Sequence, residues 1–106
     1  MLSFHKSAKI ATEKAPAAIG PYSQGIKAGN LIITSGQLPI DPATGAFPEG
    51  IEEQTRQSLT NLGHIAAEAG YSLADAVKVT VLLDSIADFA AMNGVYATFF
   101  TENMPA

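Results

Sequence analysis

The chain has 106 residues, 47% of them hydrophobic and 15% charged, which is a globular composition sufficient for one small domain. Its net charge is −4 and its six basic residues are scattered, so it lacks the positive face that binds nucleic acid or an anionic membrane. The absence of cysteine excludes disulfides and thiolate chemistry and suits a reducing compartment. We therefore predict one cytoplasmic domain with neither nucleic acid nor membrane as a partner.

The N-terminal third predicts a short strand followed by a β-hairpin. Residues 1–8 are expected to form a flexible leader, and residues 9–12 a short edge strand. Two β-like runs, 22–28 and 31–35, then flank Gly29-Asn30, which predicts a hairpin with a type II′ turn. Because Leu31-Ile32-Ile33 is apolar on both faces, that strand is expected to be covered on both sides.

The rest of the chain predicts a helix, a strand and a second helix. A loop over residues 39–50, with its turn at 41–45, leads to an amphipathic helix over 51–69 that Gly70 ends in the left-handed conformation. Residues 76–84 alternate like a strand with one apolar face, and a second helix begins at Ser85 and frays near Thr101. Hairpin, helix, strand and helix in this order indicate an α+β domain with helices on one face of a sheet.

Few residues suggest chemistry by pattern alone. No Asp, Glu and His residues have ligand-like spacing, and His64 falls on the polar side of the first helix, so it is interpreted as a solvated histidine. Ser23 and Ser35 lack a convincing base, which argues against serine catalysis. Tyr22 could pack or present its hydroxyl to a pocket, and Ser35-Gly36 could form a bulge or admit a ligand to the backbone.

Asn93 has mostly apolar neighbours on its side of the second helix, which predicts a buried amide that must find hydrogen-bond partners. Position alone favours a structural tie over a role in orienting a ligand.

Several segments in register carry a resemblance to the Rid (YjgF-like) family, RidA-type imine deaminases that are also known as endoribonuclease L-PSP proteins. The resemblance covers about residues 9–106, and its segments together are highly specific. They are Thr12 with Ala15-Pro16, Gly20-Pro21-Tyr22-Ser23-Gln24, Thr34-Ser35-Gly36-Gln37-Leu38-Pro39, Gln54-Thr55-Arg56-Gln57-Ser58-Leu59-Thr60-Asn61-Leu62, Val77-Lys78-Val79-Thr80-Val81, and Asn93 with Tyr96-Ala97-Thr98-Phe99-Phe100.

The resemblance implies a chorismate-mutase-like α+β fold, a mixed sheet with two helices on one face, and a homotrimer with a ligand cleft at each subunit interface. It implies hydrolysis of 2-iminobutanoate, 2-iminopropanoate and related enamine acids to 2-keto acids and ammonia, without metal or cofactor. Carried over by position, Tyr22 lines the cleft, Ser35 and Gly36 form its wall with the Gly36 N–H offered to the ligand, and Asn93 supports its geometry.

The sequence departs from the family pattern after Pro105-Ala106. In the family this pair is followed by an arginine that clamps the substrate carboxylate, and by two strands that carry an acidic residue positioning the water. Arg56, the single arginine, belongs to the first helix. We therefore expect the 106 residues to be a truncated form with little deaminase activity. Two alternatives are a non-catalytic, small-carboxylate-binding trimer and a ribonuclease or translation inhibitor, the latter disfavoured by the acidic charge.

Overall fold

The computed structural model describes residues 8–106, which form a three-stranded sheet and two helices. The strands are β1 (Ala8–Ile10), β2 (Gly25–Ala28) and β3 (Leu31–Thr34), antiparallel in the order β1-β2-β3. The helices are α1 (Ile51–Glu68) and α2 (Phe89–Phe99). These elements confirm the α+β class. The predicted leader lies outside the described residues except for Ala8, which belongs to β1 and not to the leader.

The predicted hairpin is confirmed in its position and in its turn. Ala28 pairs with Leu31, which leaves Gly29-Asn30 as a two-residue connection. Gly29 has a φ of 62° whereas Asn30 does not have a positive φ, as a type II′ turn requires. β1 pairs only with β2 and is therefore the edge strand that the sequence predicts.

The expectation that β3 is covered on both faces is wrong for the single chain. Leu31 is 47% exposed and Ile33 is 60% exposed, whereas Ile32 between them packs against the core. One helical layer covers one face of the sheet, so the alternate side chains of β3 remain open. The apolar sequence of β3 therefore predicts more burial than the described residues of a single chain provide.

The core under the sheet is centred on Ile10, Ala15 and Ile65, which are almost fully buried. Ile65 comes from α1 and Ile10 from β1, so this contact joins the helix to the sheet. β2 must pass close to both residues. A Cβ added at Gly25 would lie 3.2 Å from Ile65 Cγ2, 3.3 Å from Ile10 Cδ1 and 3.3 Å from the Ile33 carbonyl oxygen. Glycine at this position therefore sets the spacing between helix and sheet.

Gly25→Ala is expected to lower the free energy of unfolding by about 1–3 kcal/mol, because the added methyl overpacks a backbone neighbour and two buried isoleucines. Gly94→Ala is the matched control, since Gly94 lies in α2 with no atom within 4 Å of an added Cβ. Helix propensity predicts that this control gains about 0.5–1 kcal/mol. Chemical denaturation of both variants gives the comparison. Equal stability of the two would contradict the close approach of β2.

Both helices have the predicted ends within a few residues. Gly70 has a φ of 85°, and the N–H of Tyr71 donates to the Ala66 carbonyl at 2.9 Å, so α1 ends as predicted. A single 3₁₀ turn, Ile86–Asp88, precedes α2. Ser85 caps this turn by accepting from the Ala87 N–H at 3.3 Å, but Asp88 does not complete a capping box.

The strand predicted over residues 76–84 is not formed within the described chain. Apart from the bond of Ala76 N–H to the Leu73 carbonyl at 3.0 Å, its backbone hydrogen bonds there run from Val79 N–H to the Ala106 carbonyl at 2.8 Å and from Ala106 N–H to the Val77 carbonyl at 3.0 Å. One paired residue is too short to make a ladder. Val79 is half-buried but Val81 is 41% exposed, so the predicted apolar face is only partly covered. An alternating sequence alone does not make a strand, which also requires a neighbour to pair with.

Candidate functional site

An open hollow of about 470 Å³ lies where the chain enters and leaves the hairpin. It brings together two of the predicted site residues, Tyr22, which precedes β2, and Ser35, which follows β3. None of its lining residues carries a formal charge, so it can offer backbone groups, hydroxyls and apolar contacts to a ligand. The lining residues are Gly20, Pro21, Tyr22, Ser23, Gly25, Ile26, Ile33, Thr34 and Ser35.

Tyr22 is held at the edge of this hollow by local contacts. Its N–H donates to the Gly20 carbonyl at 2.8 Å, which closes a tight turn around Pro21. Its hydroxyl oxygen accepts a long hydrogen bond from the Ile19 N–H at 3.4 Å, and the side chain remains 49% exposed. Among the described residues nothing accepts the hydroxyl hydrogen, so it is available to a ligand.

Ser35 lies on the other side of the hollow, and both its N–H and its hydroxyl make hydrogen bonds within the chain. Its N–H donates to the Gln24 carbonyl at 2.9 Å, continuing the β2–β3 ladder by one residue. Its hydroxyl donates to the Ser23 carbonyl at 2.6 Å. No histidine among residues 8–106 contacts this hydroxyl, because His64 lies on α1 with its Nδ1 2.8 Å from the Lys14 carbonyl. His64 is half-buried in an exposed contact with the loop at Lys14, and Ser35 has no base in the described part of the chain to make it a nucleophile.

Gly36 follows Ser35 at the exposed end of the hairpin, just outside the hollow. Within residues 8–106 its N–H has no hydrogen-bond acceptor, and no atom lies within 4 Å of an added Cβ. Its φ is outside the left-handed region, so backbone strain does not explain glycine here. The arrangement leaves a backbone donor directly after Ser35, and its use by a ligand stays a prediction.

Asn93 does not join Tyr22 and Ser35, and the prediction that it is buried is wrong. It is exposed on α2. It lines a second, mainly apolar groove between α2 and the segment predicted as a strand. Within the described chain that segment forms no strand, and Phe89 at the start of α2 stays 52% exposed beside the groove. The groove is lined by Val79, Val81, Leu82, Leu83, Ile86, Phe89, Met92, Asn93 and Tyr96.

The only arginine lies away from both concave regions. Arg56 lies on α1, where its Nε is 3.4 Å from Glu53 Oε1 and the two side chains are 47% and 60% exposed. It lines neither the hollow nor the groove. Its assignment to the first helix is confirmed. A carboxylate in the hollow would therefore be bound by backbone and hydroxyl donors of this chain.

Two buried amides support the site, and sequence reasoning assigned neither of them a role. Gln24, 5% exposed, bonds to both backbone groups of Thr12 and to the carbonyls of Ala15 and Pro16. Asn61, fully buried in α1, bonds to two carbonyls of the loop after Gly36. The residues around each amide suggest a surface position. The signal that could have identified both amides is a polar side chain on the side of its segment that faces the core.

No cluster of three or more histidine, cysteine or acidic residues among residues 8–106 is arranged to hold a metal ion. No helix in that part of the chain is both long and apolar enough to cross a membrane.

Comparison with known proteins gives relatives that span nearly the whole chain. The family model described as Endoribonuclease L-PSP matches residues 12–106. A RutC family protein of Pyrococcus horikoshii is 57% identical over 98 residues, which are 92% of this chain and 78% of that protein. The 2-iminobutanoate/2-iminopropanoate deaminase of Salmonella typhimurium is 53% identical over 97 residues, covering 92% of this chain and 76% of the relative.

Solved structures agree with these relatives. The YjgF gene product of E. coli has a TM-score of 0.91 and 51% identity, and the match covers 94% of this chain and 81% of that one. TdcF of E. coli, solved with bound serine, has a TM-score of 0.88 and 43% identity, with 94% and 79% covered. The family match, the sequence identity and the shared fold agree, and on that combined ground the chain belongs to the Rid (YjgF-like) family.

Proposed function

We propose that the chain acts in the hydrolytic deamination of small 2-imino and enamine acids such as 2-iminobutanoate and 2-iminopropanoate. The observation that carries the proposal is the 53% identity to the Salmonella deaminase across 92% of this chain. The uncharged hollow between Tyr22 and Ser35 supports it, because it is suited to a small ligand. The structure of TdcF with bound serine adds a relative that holds a small molecule with a carboxylate.

The proposed chemistry requires positioning more than activation. Water adds to the electrophilic iminium carbon, the C–N bond then breaks, and a 2-keto acid and ammonia are released. In this scheme the free N–H of Gly36 binds the ligand, the hydroxyl of Tyr22 faces it, and Ser35 holds the wall. Orienting the acid and the water relative to each other is the main contribution of these groups. No metal or cofactor is part of the scheme.

The function is tested by generating 2-iminopropanoate from serine with a pyridoxal-phosphate-dependent dehydratase and following the release of keto acid. Semicarbazide in the same solution captures the imine faster than it captures the keto acid, so a deaminase lowers the semicarbazone yield measured at early times. We expect a lower yield in proportion to added protein. A yield that does not change with protein concentration would refute the deaminase proposal.

A small-carboxylate binder without turnover is the second candidate. The observation favouring it is the position of Arg56, which leaves the hollow without a cationic side chain to clamp a substrate carboxylate. Isothermal titration with 2-oxobutanoate separates the candidates: binding together with an unchanged semicarbazone yield favours the binder. An RNA-directed activity is not part of the proposal, since the net charge is −4 and the basic residues are scattered. The proposed compartment is the cytoplasm.

The proposed assembly is a homotrimer whose interfaces complete the ligand clefts. Two observations support it: the open apolar face of β3, and the separation of Asn93 from the Tyr22 hollow within one chain. A monomeric protein seldom leaves an apolar sheet face in water. An interface between copies is an arrangement in which residues of the hollow and of the groove can contact one ligand.

Leu31→Glu is expected to dissociate the oligomer, because a carboxylate would be placed in the apolar face of β3. Leu31 is outside the hollow, so the ligand contacts of the chain are kept. Met104→Glu, at a side chain that is 67% exposed, is the control. Sedimentation equilibrium should give a trimer mass for the wild type and the control and a monomer mass for Leu31→Glu. A trimer in all three would remove this face from the interface.

A further inference from the structure

Asn61 is a fully buried polar residue whose side-chain amide makes its hydrogen bonds to groups other than the α1 backbone. Its Nδ2 donates to the Leu38 carbonyl at 3.2 Å and to the Ile40 carbonyl at 2.9 Å. Its Oδ1 accepts from Gln57 Nε2 at 2.9 Å, one helical turn earlier. The Gln57 bond fixes which end of the Asn61 amide faces the loop, so both donors are aimed at loop carbonyls.

The loop that Asn61 holds is only partly buried. Leu38 is 60% exposed and Gly36 is exposed, whereas Ile40 is half-buried. Gln37 Nε2 bonds within the segment, to the Ser35 carbonyl at 3.3 Å and the Gly36 carbonyl at 3.2 Å. The Ile40 N–H donates to the Leu38 carbonyl at 2.8 Å, which closes a tight turn around Pro39. The same Leu38 carbonyl accepts from Asn61, so the helix amide and the turn share one oxygen. Removing Asn61 therefore removes the contact that ties this turn to the helix.

The segment from Ser35 to Leu38 is fixed at both ends by different elements. At its start, Ser35 bonds to the carbonyls of Ser23 and Gln24, which directly precede β2. At its end, Asn61 bonds to Leu38 from α1. Gly36, with its free N–H, lies between these two fixed points. The direction of that N–H therefore depends on both.

We propose that Asn61 is a positioning residue that orients the Gly36 backbone donor toward the ligand through the turn around Pro39. The ligand role rests on the proposed function, but the anchoring role does not. A structural role alone would make Asn61 matter for stability only. A positioning role predicts, in addition, a local loosening of the loop and weaker ligand binding in a protein that remains folded.

The test compares Asn61→Ala with Thr55→Ala. Thr55 is 8% exposed on the same helix, and its hydroxyl donates only to the Ile51 carbonyl within α1, so this control also loses a buried hydrogen bond without touching the loop. Amide hydrogen exchange is read at Ile40 and Asp41, which donate within the loop, and at β3 as a reference. Binding of 2-oxobutanoate is measured by titration.

Asn61→Ala is expected to speed exchange at Ile40 and Asp41 at least about tenfold more than at β3, since two hydrogen bonds to the loop are lost. It should also raise the Kd for 2-oxobutanoate by about five- to tenfold, because the binding-competent loop conformation is less populated. Thr55→Ala should leave both the ratio of exchange rates and the Kd unchanged.

Exchange at Ile40 that matches the Thr55→Ala control would overturn the anchoring role. Faster exchange with an unchanged Kd would overturn the orientation of Gly36. If the wild type neither binds nor turns over ligand, the proposed function fails, whereas the exchange comparison still decides the anchoring role. If Asn61→Ala does not fold, Gln57→Leu is the second variant, because it removes the hydrogen bond to Asn61 Oδ1. It should speed exchange at Ile40 and Asp41 to a smaller degree. Unchanged exchange in Gln57→Leu would refute the proposal.

Discussion

Replacing Gln24 by methionine is expected to lower the free energy of unfolding by about 2–4 kcal/mol, since buried backbone groups left without partners cost about 1–3 kcal/mol each. Gln24 is 5% exposed, and its Oε1 accepts from the Thr12 N–H at 2.7 Å. Its Nε2 lies 3.0 Å from the Thr12 carbonyl, 3.3 Å from the Ala15 carbonyl and 2.7 Å from the Pro16 carbonyl. Methionine keeps the volume and removes every one of these bonds.

Gln54→Met is the matched control for this variant. Gln54 is half-buried on α1 and donates a single side-chain bond, to the Pro48 carbonyl at 3.1 Å. Its replacement is expected to cost about 1 kcal/mol or less, the net value of one ordinary hydrogen bond. Urea denaturation of the two variants measures the difference. Equal losses would show that the loop at 12–16 does not depend on Gln24.

The consequence of losing Gln24 extends from stability to the site. The segment it holds contains Ala15, a member of the core cluster, and runs on to Gly20 and Tyr22 at the hollow. Gln24 also offers its backbone carbonyl to Ser35 at 2.9 Å. One residue therefore connects the entry loop, the core and the wall of the hollow. Residual Gln24→Met protein that still folds should bind 2-oxobutanoate more weakly than Gln54→Met.

Local patterns predicted the elements whose stabilisation is local. The Gly29-Asn30 turn and the end of α1 at Gly70 depend on backbone conformations that glycine favours, so the residue type alone identifies them. The helix α1 has its own hydrogen bonds and one apolar stripe, and it ends within one residue of the predicted boundary. Its periodicity therefore contained most of the information required.

Predictions that depended on a partner surface failed in the described chain. The alternation at 76–84 indicates a strand, but a ladder also requires a second backbone, and only Ala106 is there to pair. Ile33 and Asn93 were both expected to be covered, and both are exposed. Sequence pattern records the burial that a residue requires, and it does not say which segment or chain provides it.

The candidate site was predicted in part for a similar reason. Tyr22 precedes β2 and Ser35 directly follows β3, so the hairpin brings the two together without further information. The amides of Gln24 and Asn61 bond to residues 8 to 12 and 21 to 23 positions away in sequence, respectively. Spacing along one element does not reveal such contacts, because they form only once the loops have packed.

Gly36→Pro is expected to weaken the binding of 2-oxobutanoate at least about tenfold, since a hydrogen bond to a charged group contributes about 1.5–3 kcal/mol and 1.4 kcal/mol is a factor of ten. Proline removes the Gly36 N–H, which has no acceptor among residues 8–106. The preceding residue, Ser35, continues the β3 ladder, and an extended residue before proline is the conformation proline favours. The change should therefore act on the donor with little effect on the fold.

Gly36→Ala separates the loss of the donor from the loss of glycine. Alanine retains the N–H, and its Cβ would meet no atom within 4 Å. Since the φ of Gly36 is outside the left-handed region, alanine also fits the backbone without strain. We expect Gly36→Ala to retain most of the affinity while Gly36→Pro loses it, with similar thermal unfolding of the two variants. If both bind 2-oxobutanoate as the wild type does, the backbone N–H of Gly36 is not a ligand donor, and the hydroxyl of Tyr22 becomes the group that the binding model must rest on.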